Sequence, residues 1–338
     1  MKNQVLITGA AGFIGFHLTR SILKTSHDTT IIGFDNLNNY YDTNLKNARL
    51  DILNKHENFT FIKGDLSDKS TVDKLFSEHK PDVVVNLAAQ AGVRYSITNP
   101  DAYINSNLVG FFNILEACRH NKTSHLVYAS SSSVYGSNKK TPYSTEDKTD
   151  NPVSLYAATK KSNELLAYSY SKLYDIPMTG LRFFTVYGEY GRPDMAYYSF
   201  TEKMIKGETI QLFNHGDMLR DFTYIDDIIE GVVRVIGKPS PPDDNNVRHK
   251  VYNIGNNKPE TLTYFVDTLE RILTEENLIS KPVKRELLPM QQGDVYQTFA
   301  DVDDLKNDFG FKPNTPLETG LRKFVKWHKS YYKGEDVS

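Results

Sequence analysis

A glycine-rich turn near the N-terminus constrains the fold of this chain more than any other feature of its sequence. An apolar run, three glycines at intervals of three and an amphipathic helical pattern follow one another there: Val5–Ile7, Gly9, Gly12 and Gly15. The first glycine permits a tight turn, the second lets the backbone approach a diphosphate, and the third lets the helix pack closely on the strand. Free N–H groups at the start of the helix would bind the phosphates. The pattern therefore predicts a strand–turn–helix unit that binds a dinucleotide.

An acidic residue follows the next apolar run, at the position where such a fold needs one. The run Thr30–Phe34 is typical of a strand and is followed directly by Asp35. A carboxylate at this place, about 20 residues beyond the turn, hydrogen-bonds a ribose 2′-hydroxyl. It would repel a 2′-phosphate, so NAD is favoured over NADP. The alternative is a glycine-rich turn beside an unrelated surface acid, but strand, helix and acid in this order favour the dinucleotide site.

Strand-like and helical patterns alternate further along the chain. Strand-like runs recur at 59–62, 83–87, 125–129, 178–183 and 251–255, and helical patterns at 15–25, 68–79, 103–120 and 155–174. This alternation predicts an α/β fold, a Rossmann-type doubly wound parallel sheet with a smaller, mixed α/β C-terminal substrate domain. We expect two domains: an NAD-binding domain over 1–184 to which 223–254 return, and a nucleotide-sugar-binding domain over 185–222 and 255–330.

The overall composition argues against several classes of protein. A formal net charge of −2 over 338 residues gives no electrostatic footprint for nucleic acid. No run is long and apolar enough to span a membrane, and the N-terminus shows no signal-peptide pattern. The single cysteine, Cys118, cannot form an intrachain disulfide, which fits a reducing compartment, and we expect a cytoplasmic protein. The histidines show no metal-ligand spacing, so no metal site is predicted.

A tyrosine and a lysine stand four residues apart at the start of a predicted helix. A helix beginning after Pro152 would place Tyr156 and Lys160 on one face as i and i+4 neighbours. An ammonium beside a phenol favours the phenolate and lowers a pKa that is ordinarily about 10. A phenol tuned in this way can accept a proton from an alcohol. The spacing alone also fits a solvated helix face, and it gains weight from the glycine-rich turn.

Together these motifs identify a family. The chain resembles extended short-chain dehydrogenases/reductases of the nucleotide-sugar epimerase/dehydratase family from residue 1 to about residue 330. Within that family, two segments look most like those of UDP-glucuronate 4-epimerases: 89–96 and 182–188. The motifs that carry the resemblance are Thr8–Gly15, Gly64–Leu66, Leu87–Gln90, Ser130–Gly136, Tyr156 with Lys160, Arg182–Gly188 and Arg220–Phe222.

The resemblance implies NAD as the cofactor and gives each matched residue a role. Asp65 would hold the adenine edge, and Lys160 would bond the nicotinamide ribose. Tyr156 would remove the proton of the sugar 4-hydroxyl, with Ser131 bridging the two, so that a 4-keto sugar forms and is reduced on its opposite face. The full implied cofactor site consists of Gly9, Gly12, Phe13, Ile14, Gly15, Asp35, Asn36, Asp65, Leu66, Leu87, Ala88, Ala89, Tyr156 and Lys160.

Two serines distinguish this chain from related activities. Family 4,6-dehydratases carry Asp-Glu where Ser132 and Ser133 stand, and UDP-glucuronate decarboxylases typically carry Glu at the second position. A hydroxyl is too weak an acid or base to replace a carboxyl group. Ser132, Ser133 and Thr185 could instead donate to the C6 carboxylate of a glucuronate. The alternative is that they bond backbone or water beside a neutral sugar, for which Thr298, smaller than the tyrosine that galactose epimerases of this family often carry there, would leave room. UDP-N-acetylglucosamine or UDP-glucose 4-epimerisation therefore stays open.

The nucleotide end of the substrate would be held by a separate group of residues. The resemblance places Arg192 and Arg220 near the diphosphate, Gln211 at the uracil and Asp294 at the uridine ribose, and Arg94 at the diphosphate or active site. It also implies a homodimer in which the helices at 103–120 and 155–174 of two subunits pack together. A non-catalytic NAD-binding scaffold protein is the alternative from another class, but such proteins usually lose the tyrosine or the lysine.

Overall fold

Alternating strands and helices build the protein, whose computed structural model describes residues 3–291 and 294–334. The strands are β1 (Asn3–Thr8), β2 (Thr29–Asp35), β3 (Phe59–Lys63), β4 (Val83–Asn86), β5 (His125–Ser131), β6 (Met178–Phe183), β7 (Thr185–Tyr187), β8 (Ile210–Leu212), β9 (Leu219–Tyr224), β10 (His249–Ile254), β11 (Pro259–Thr261) and β12 (Arg285–Leu287). The helices are α1 (Phe13–Thr25), α2 (Thr43–Leu53), α3 (Lys69–His79), α4 (Tyr95–Thr98), α5 (Pro100–Tyr103), α6 (Gly110–Asn121), α7 (Leu155–Tyr174), α8 (Ala196–Ile205), α9 (Ile225–Ile236), α10 (Leu262–Glu275), α11 (Asp303–Phe309) and α12 (Leu317–Lys333).

Seven parallel strands form the central sheet, in the order β10-β6-β5-β4-β1-β2-β3. Residues on β1 show why both faces are covered, because Val5 and Ile7 pack into one apolar cluster and Leu6 packs into the other. Strands buried on both faces need helices on each side, and the sequence supplies them. The predicted Rossmann-type fold is thereby confirmed. The strand order reverses between β1 and β4, which is where such sheets bind ligands at the carboxyl ends of their strands.

Two small sheets accompany the central one. Strand β9 pairs with β7 in parallel and with β11 in antiparallel orientation, and β12 pairs with β8 in parallel. These short strands come from 185–224 and 259–287, the region for which the sequence predicts a mixed α/β part. The exact division into two domains stays a prediction. Among the described residues, no helix has the length and apolar character needed to cross a membrane.

The helical segment predicted over 103–120 is present, but it is not α-helical throughout. It consists of α5, a wide π-helical turn over Ile104–Val109, and α6. Asn107 lies in this turn, accepts a hydrogen bond from the backbone N–H of Gln90 at 2.8 Å and donates to its carbonyl at 3.0 Å. It also donates to Thr159 of α7 at 3.1 Å. The wide turn therefore joins the segment after β4 to the helix that carries Tyr156.

Candidate active site

One cavity of about 940 Å³ lies at the carboxyl ends of the central strands. Every residue predicted above to bind cofactor or substrate lines this cavity, from Gly9 of the glycine-rich turn to Asp294 near the C-terminal part. The fold thus brings together motifs that are separated by nearly the whole chain. Their individual roles stay predictions, and the geometry of each part of the cavity bears on them.

The glycine-rich turn is shaped as the sequence predicts. Gly9 has φ +70°, in the left-handed region that favours glycine, and its N–H donates to the carbonyl of Phe34 at 2.7 Å. A Cβ on Gly15 would lie 2.1 Å from the Gly9 carbonyl oxygen, so only glycine allows α1 to approach the turn this closely. Because α1 begins at Phe13, its first N–H groups have no acceptor within the helix. This cradle fits the diphosphate of a dinucleotide.

Two carboxylates stand beside the turn. Asp35, at the end of β2, accepts hydrogen bonds from the N–H groups of Ala11 at 3.2 Å and Leu37 at 2.8 Å. Asp65 accepts from the Asn36 side chain at 2.9 Å and from the Ser67 hydroxyl at 2.7 Å. Burial acts to raise the pKa of Asp65, but these hydrogen bonds outweigh it and leave the pKa below its ordinary value. Both groups are suited to accept hydroxyl or amino protons from the nucleoside part of NAD.

The tyrosine and the lysine lie at the start of α7, which begins at Leu155 with Ser154 as its N-cap. Burial raises the pKa of Tyr156 above 10, although a hydrogen bond with Ser131 and the charge of Arg192 act to lower it. Burial also lowers the pKa of Lys160 to about 8, and its Nζ donates to the carbonyl of Ala129 at 2.9 Å. The predicted lowering of the Tyr156 pKa by Lys160 is therefore wrong for the protein alone, because burial dominates and the opposing effects come from Ser131 and Arg192.

The serine loop follows β5 directly. Ser131 ends that strand, and a 3₁₀ turn over Ser132–Tyr135 carries the next two serines. The N–H of Ser133 donates to the Ser131 hydroxyl at 3.2 Å, and that hydroxyl donates to the Ser133 side chain at 3.2 Å. Thr185, the first residue of β7, lines the same cavity. The predicted carboxylate-binding hydroxyls thus come from the ends of two different strands.

The predicted nucleotide-binding arginines have protein partners. Arg192 forms a bidentate ion pair with Asp194, at 3.0 and 2.5 Å, and Tyr40 donates to the same carboxylate at 3.1 Å. Arg220 donates to the carbonyls of Leu219 at 2.8 Å and Tyr296 at 3.0 Å. Guanidinium groups held in this way are oriented before a phosphate arrives.

Two other predicted substrate residues are joined to each other. Arg94 and Asp294 form an ion pair at 3.2 Å, and the Arg94 guanidinium lies 4.9 Å from the centre of the Phe213 ring. Gln211 donates to Glu286 at 2.9 Å. If the Asp294 carboxylate hydrogen-bonds the uridine ribose, it must either keep its ion pair with Arg94 at the same time or give up that ion pair. Residues 292 and 293, which precede Asp294 in the same motif, lie outside the described part of the chain.

A buried ion pair that no motif predicted supports the catalytic helix. Glu164, one turn beyond Lys160, accepts two hydrogen bonds from Arg182 of β6 at 2.8 and 2.9 Å and one from Ser130 at 2.6 Å. Arg182 also donates to the Tyr135 hydroxyl at 3.0 Å. The pair therefore joins α7 to β6, and the Ser130 hydrogen bond joins it to β5, the strand that ends in Ser131. In the sequence, Arg182 belongs to a matched motif and Glu164 stands at i+4 from Lys160, but no local pattern pairs the two residues.

Comparison with known proteins agrees with this geometry. The model of the NAD dependent epimerase/dehydratase family matches residues 5–255. The chain is 51% identical to Protein CapI of Staphylococcus aureus, over 98% of this chain and 99% of that one. It is 44% identical to the probable UDP-glucuronate 4-epimerase of Rhizobium meliloti, over 98% of each. The crystal structure of UDP-glucuronic acid 4-epimerase from Bacillus cereus with UDP-glucuronic acid and NAD superposes with a TM-score of 0.87 at 34% identity, over 97% of this chain and all of that one.

Proposed function

This chain belongs to the NAD dependent epimerase/dehydratase family, and we propose that it interconverts UDP-glucuronate and UDP-galacturonate by epimerisation at C4. The observation that carries the proposal is the pair of hydroxyls at Ser132 and Ser133, in the cavity that also holds Tyr156 and Lys160. Dehydration and decarboxylation would need a carboxyl group at those positions. Relatives over the full length of the chain bear the name UDP-glucuronate 4-epimerase, which supports the same activity.

Some residues of the cavity would transfer protons, and others would position the substrate and the cofactor. Bound NAD supplies the chemistry of hydride removal and return at C4. Tyr156 accepts the proton of the sugar 4-hydroxyl and later gives it back, and Ser131, which acts to lower the pKa of Tyr156 and lines the same cavity, would relay that proton. Burial lowers the pKa of Lys160 to about 8, and below that pH its ammonium would donate a hydrogen bond to the nicotinamide ribose. Ser132, Ser133 and Thr185 would hold the C6 carboxylate, which keeps it from aligning for loss of carbon dioxide.

A panel of UDP-sugars tests the proposal directly. Purified protein should convert UDP-glucuronate to UDP-galacturonate without added NAD, because the cofactor is regenerated in each cycle. If UDP-glucose or UDP-N-acetylglucosamine is converted faster than UDP-glucuronate, that sugar is the preferred substrate, and the proposed 4-epimerisation still holds. Absence of conversion of every UDP-sugar by NAD-loaded protein would favour the non-catalytic scaffold instead.

We further propose that two copies of the chain form a homodimer through α7 and the helical segment that ends in α6. Large apolar side chains on these helices are exposed, among them Phe112, Leu165 at 61% and Leu173 at 66%. Contiguous apolar patches on a protein surface commonly mark interaction sites. The cytoplasmic location predicted from the single cysteine also stays a prediction.

Charged substitutions on these helices should produce monomers. Leu165→Glu would place a carboxylate in the proposed interface, where its desolvation costs several kcal/mol unless it is paired. Sedimentation at micromolar concentration should then give a monomer for this variant and a dimer for the parent protein. Leu287→Glu, at a 55% exposed apolar position on β12, is the matched control and should sediment as a dimer. A parent protein that already sediments as a monomer would contradict the proposal.

A further inference from the structure

We propose that Arg49 is a positioning residue that holds the loop carrying Arg192 against the glycine-rich turn, and so fixes the substrate diphosphate relative to the cofactor. The proposal rests on the proposed function for the identity of the two ligands. No motif in the sequence points to Arg49, which lies on α2 and is fully buried. Its contacts with Ala11 and Gly191 join two segments about 180 residues apart in the chain, whose next residues, Gly12 and Arg192, line the cavity.

All donors of the guanidinium are directed to neighbouring groups. Nη1 donates to the Ala11 carbonyl at 2.7 Å and to the Tyr41 hydroxyl at 2.8 Å. Nε and Nη2 donate to the Tyr190 carbonyl at 3.2 and 2.6 Å, and Nη2 also donates to the Gly191 carbonyl at 3.1 Å. These contacts use the five-donor fork of an arginine, a geometry that a lysine ammonium does not possess.

Ala11, in the glycine-rich turn, is held from both sides. Its N–H donates to Asp35 at 3.2 Å and its carbonyl accepts from Arg49. Asp35 ends β2 and Arg49 lies on α2, so the elements on either side of the 36–42 segment bind the two peptide groups that flank the Cα of Ala11. Because these contacts fix the turn, its N–H groups stay directed at the position of the diphosphate, and recognition of a diphosphate requires such fixed donors.

The other end of the contact is a loop in an unusual conformation. Gly188 has φ +149° and Tyr190 has φ +51°, a region that non-glycine residues seldom adopt. His17 contacts the Glu189 carbonyl at 2.8 Å, and Arg49 gives two N–H groups to the Tyr190 carbonyl. Such a conformation persists where the surroundings determine it. Arg192 follows two residues after Tyr190, so the path of this loop sets where its guanidinium lies.

The charge of Arg49 also suits the position of the turn. Within residues 3–291 and 294–334, Arg49 forms no ion pair with a carboxylate, although a buried charge ordinarily has one. Carbonyl and hydroxyl oxygens solvate the guanidinium, which leaves its net charge in place behind the turn. A dinucleotide diphosphate in the cradle would experience this charge across a poorly screening interior.

Two substitutions separate geometry from charge. Arg49→Lys keeps the positive charge, so the NAD content of the purified protein should stay near that of the parent. The variant loses the planar set of five donors, so UDP should bind about tenfold more weakly or worse, as for loss of one charge-assisted contact. Arg49→Gln removes the charge and should lower the retained NAD as well. Nucleotide released on denaturation measures NAD, and calorimetric titration with UDP at saturating NAD measures affinity.

A double-mutant cycle tests whether Arg49 acts through Arg192. Arg192→Met alone should weaken UDP binding by about tenfold or more. If Arg49 only positions Arg192, the double variant Arg49→Lys/Arg192→Met should bind UDP no more weakly than Arg192→Met alone. If the losses of UDP affinity in the two single variants add in the double variant, Arg49 acts independently of Arg192, as it would if Arg49→Lys only reduced the stability of the fold. That result would overturn the proposal. UDP affinity unchanged in Arg49→Lys would overturn it too.

A matched control lies on α9. Arg234 donates to Glu230 of the same helix at 2.6 Å and to the Phe309 carbonyl at 2.9 Å, and none of its described hydrogen bonds reaches the glycine-rich turn or the 188–192 loop. Arg234→Lys makes the same chemical change and should bind UDP as the parent does. If Arg49→Lys unfolds below the assay temperature, Arg49→Gln takes its place in the double-mutant cycle with Arg192→Met. All these readouts are binding measurements, so a failure of the proposed epimerisation would leave them interpretable.

Discussion

Tyr156→Phe should lower kcat/KM for epimerisation by ~10²-fold or more, the effect expected for loss of a general acid–base group. The substitution removes one hydroxyl from a half-buried ring that packs edge-on against Tyr103, with 6.1 Å between the ring centres. Because the ring and its contacts remain, the fold and the bound NAD should be retained. Initial rates with UDP-glucuronate, together with released NAD and a melting curve, measure both parts of this prediction.

A second tyrosine on the same helix provides the control. Tyr168 of α7 is exposed, and Tyr168→Phe makes the identical change three turns beyond Tyr156. Its kcat/KM should equal that of the parent. Near-normal turnover in Tyr156→Phe would remove Tyr156 from the mechanism, whereas loss of NAD from that variant would mean that the hydroxyl serves in cofactor binding.

Local motifs made much of the cavity predictable from the sequence. The glycine-rich turn, the acid after β2 and the serines after β5 are each defined by a few adjacent residues at the end of a strand. Parallel strands deliver such ends to one edge of the sheet, so knowledge of the fold is enough to bring them together. This is why Gly9, Asp35 and Ser131 could be assigned to one site before their distances were known.

Contacts between distant segments could not be predicted in this way. The ion pair between Arg94 and Asp294 and the contact between Arg49 and Tyr190 join residues 200 and 141 positions apart. Nothing in the local pattern around Arg49 distinguishes it from an arginine on a solvated helix face. Only the packing of α2 against the 188–192 loop gives it a role.

The state of Tyr156 shows a different limit. An i, i+4 spacing predicts that Tyr156 and Lys160 share a helix face, and it gives no measure of burial. Burial raises the pKa of the phenol and lowers that of the ammonium to about 8, and the Ala129 carbonyl engages the Lys160 Nζ. The spacing therefore does not determine the pKa of Tyr156, and the positive charge of bound oxidised NAD would act to lower it.

Thr185→Val should reduce kcat/KM for UDP-glucuronate by roughly 10- to 150-fold. A hydroxyl bonded to a carboxylate contributes ~1.5–3 kcal/mol, and 1.4 kcal/mol corresponds to about tenfold. Valine nearly preserves the shape of threonine, so the change removes a donor with little effect on packing. Neutral UDP-glucose has no C6 carboxylate, and its low kcat/KM should be unaltered by the substitution. Rates with the two sugars, measured on the same preparations, separate loss of carboxylate recognition from general damage.

The products of Thr185→Val carry the second part of this prediction. A 4-keto acid loses carbon dioxide when its carboxylate can rotate into alignment with the ketone, and hydroxyls at the ends of β5 and β7 would prevent that rotation. Loosening one of them should raise the fraction of UDP-pentose among the products, which chromatography resolves. An equal loss of activity towards both sugars, with no increase in pentose, would show that Thr185 does not contact the carboxylate.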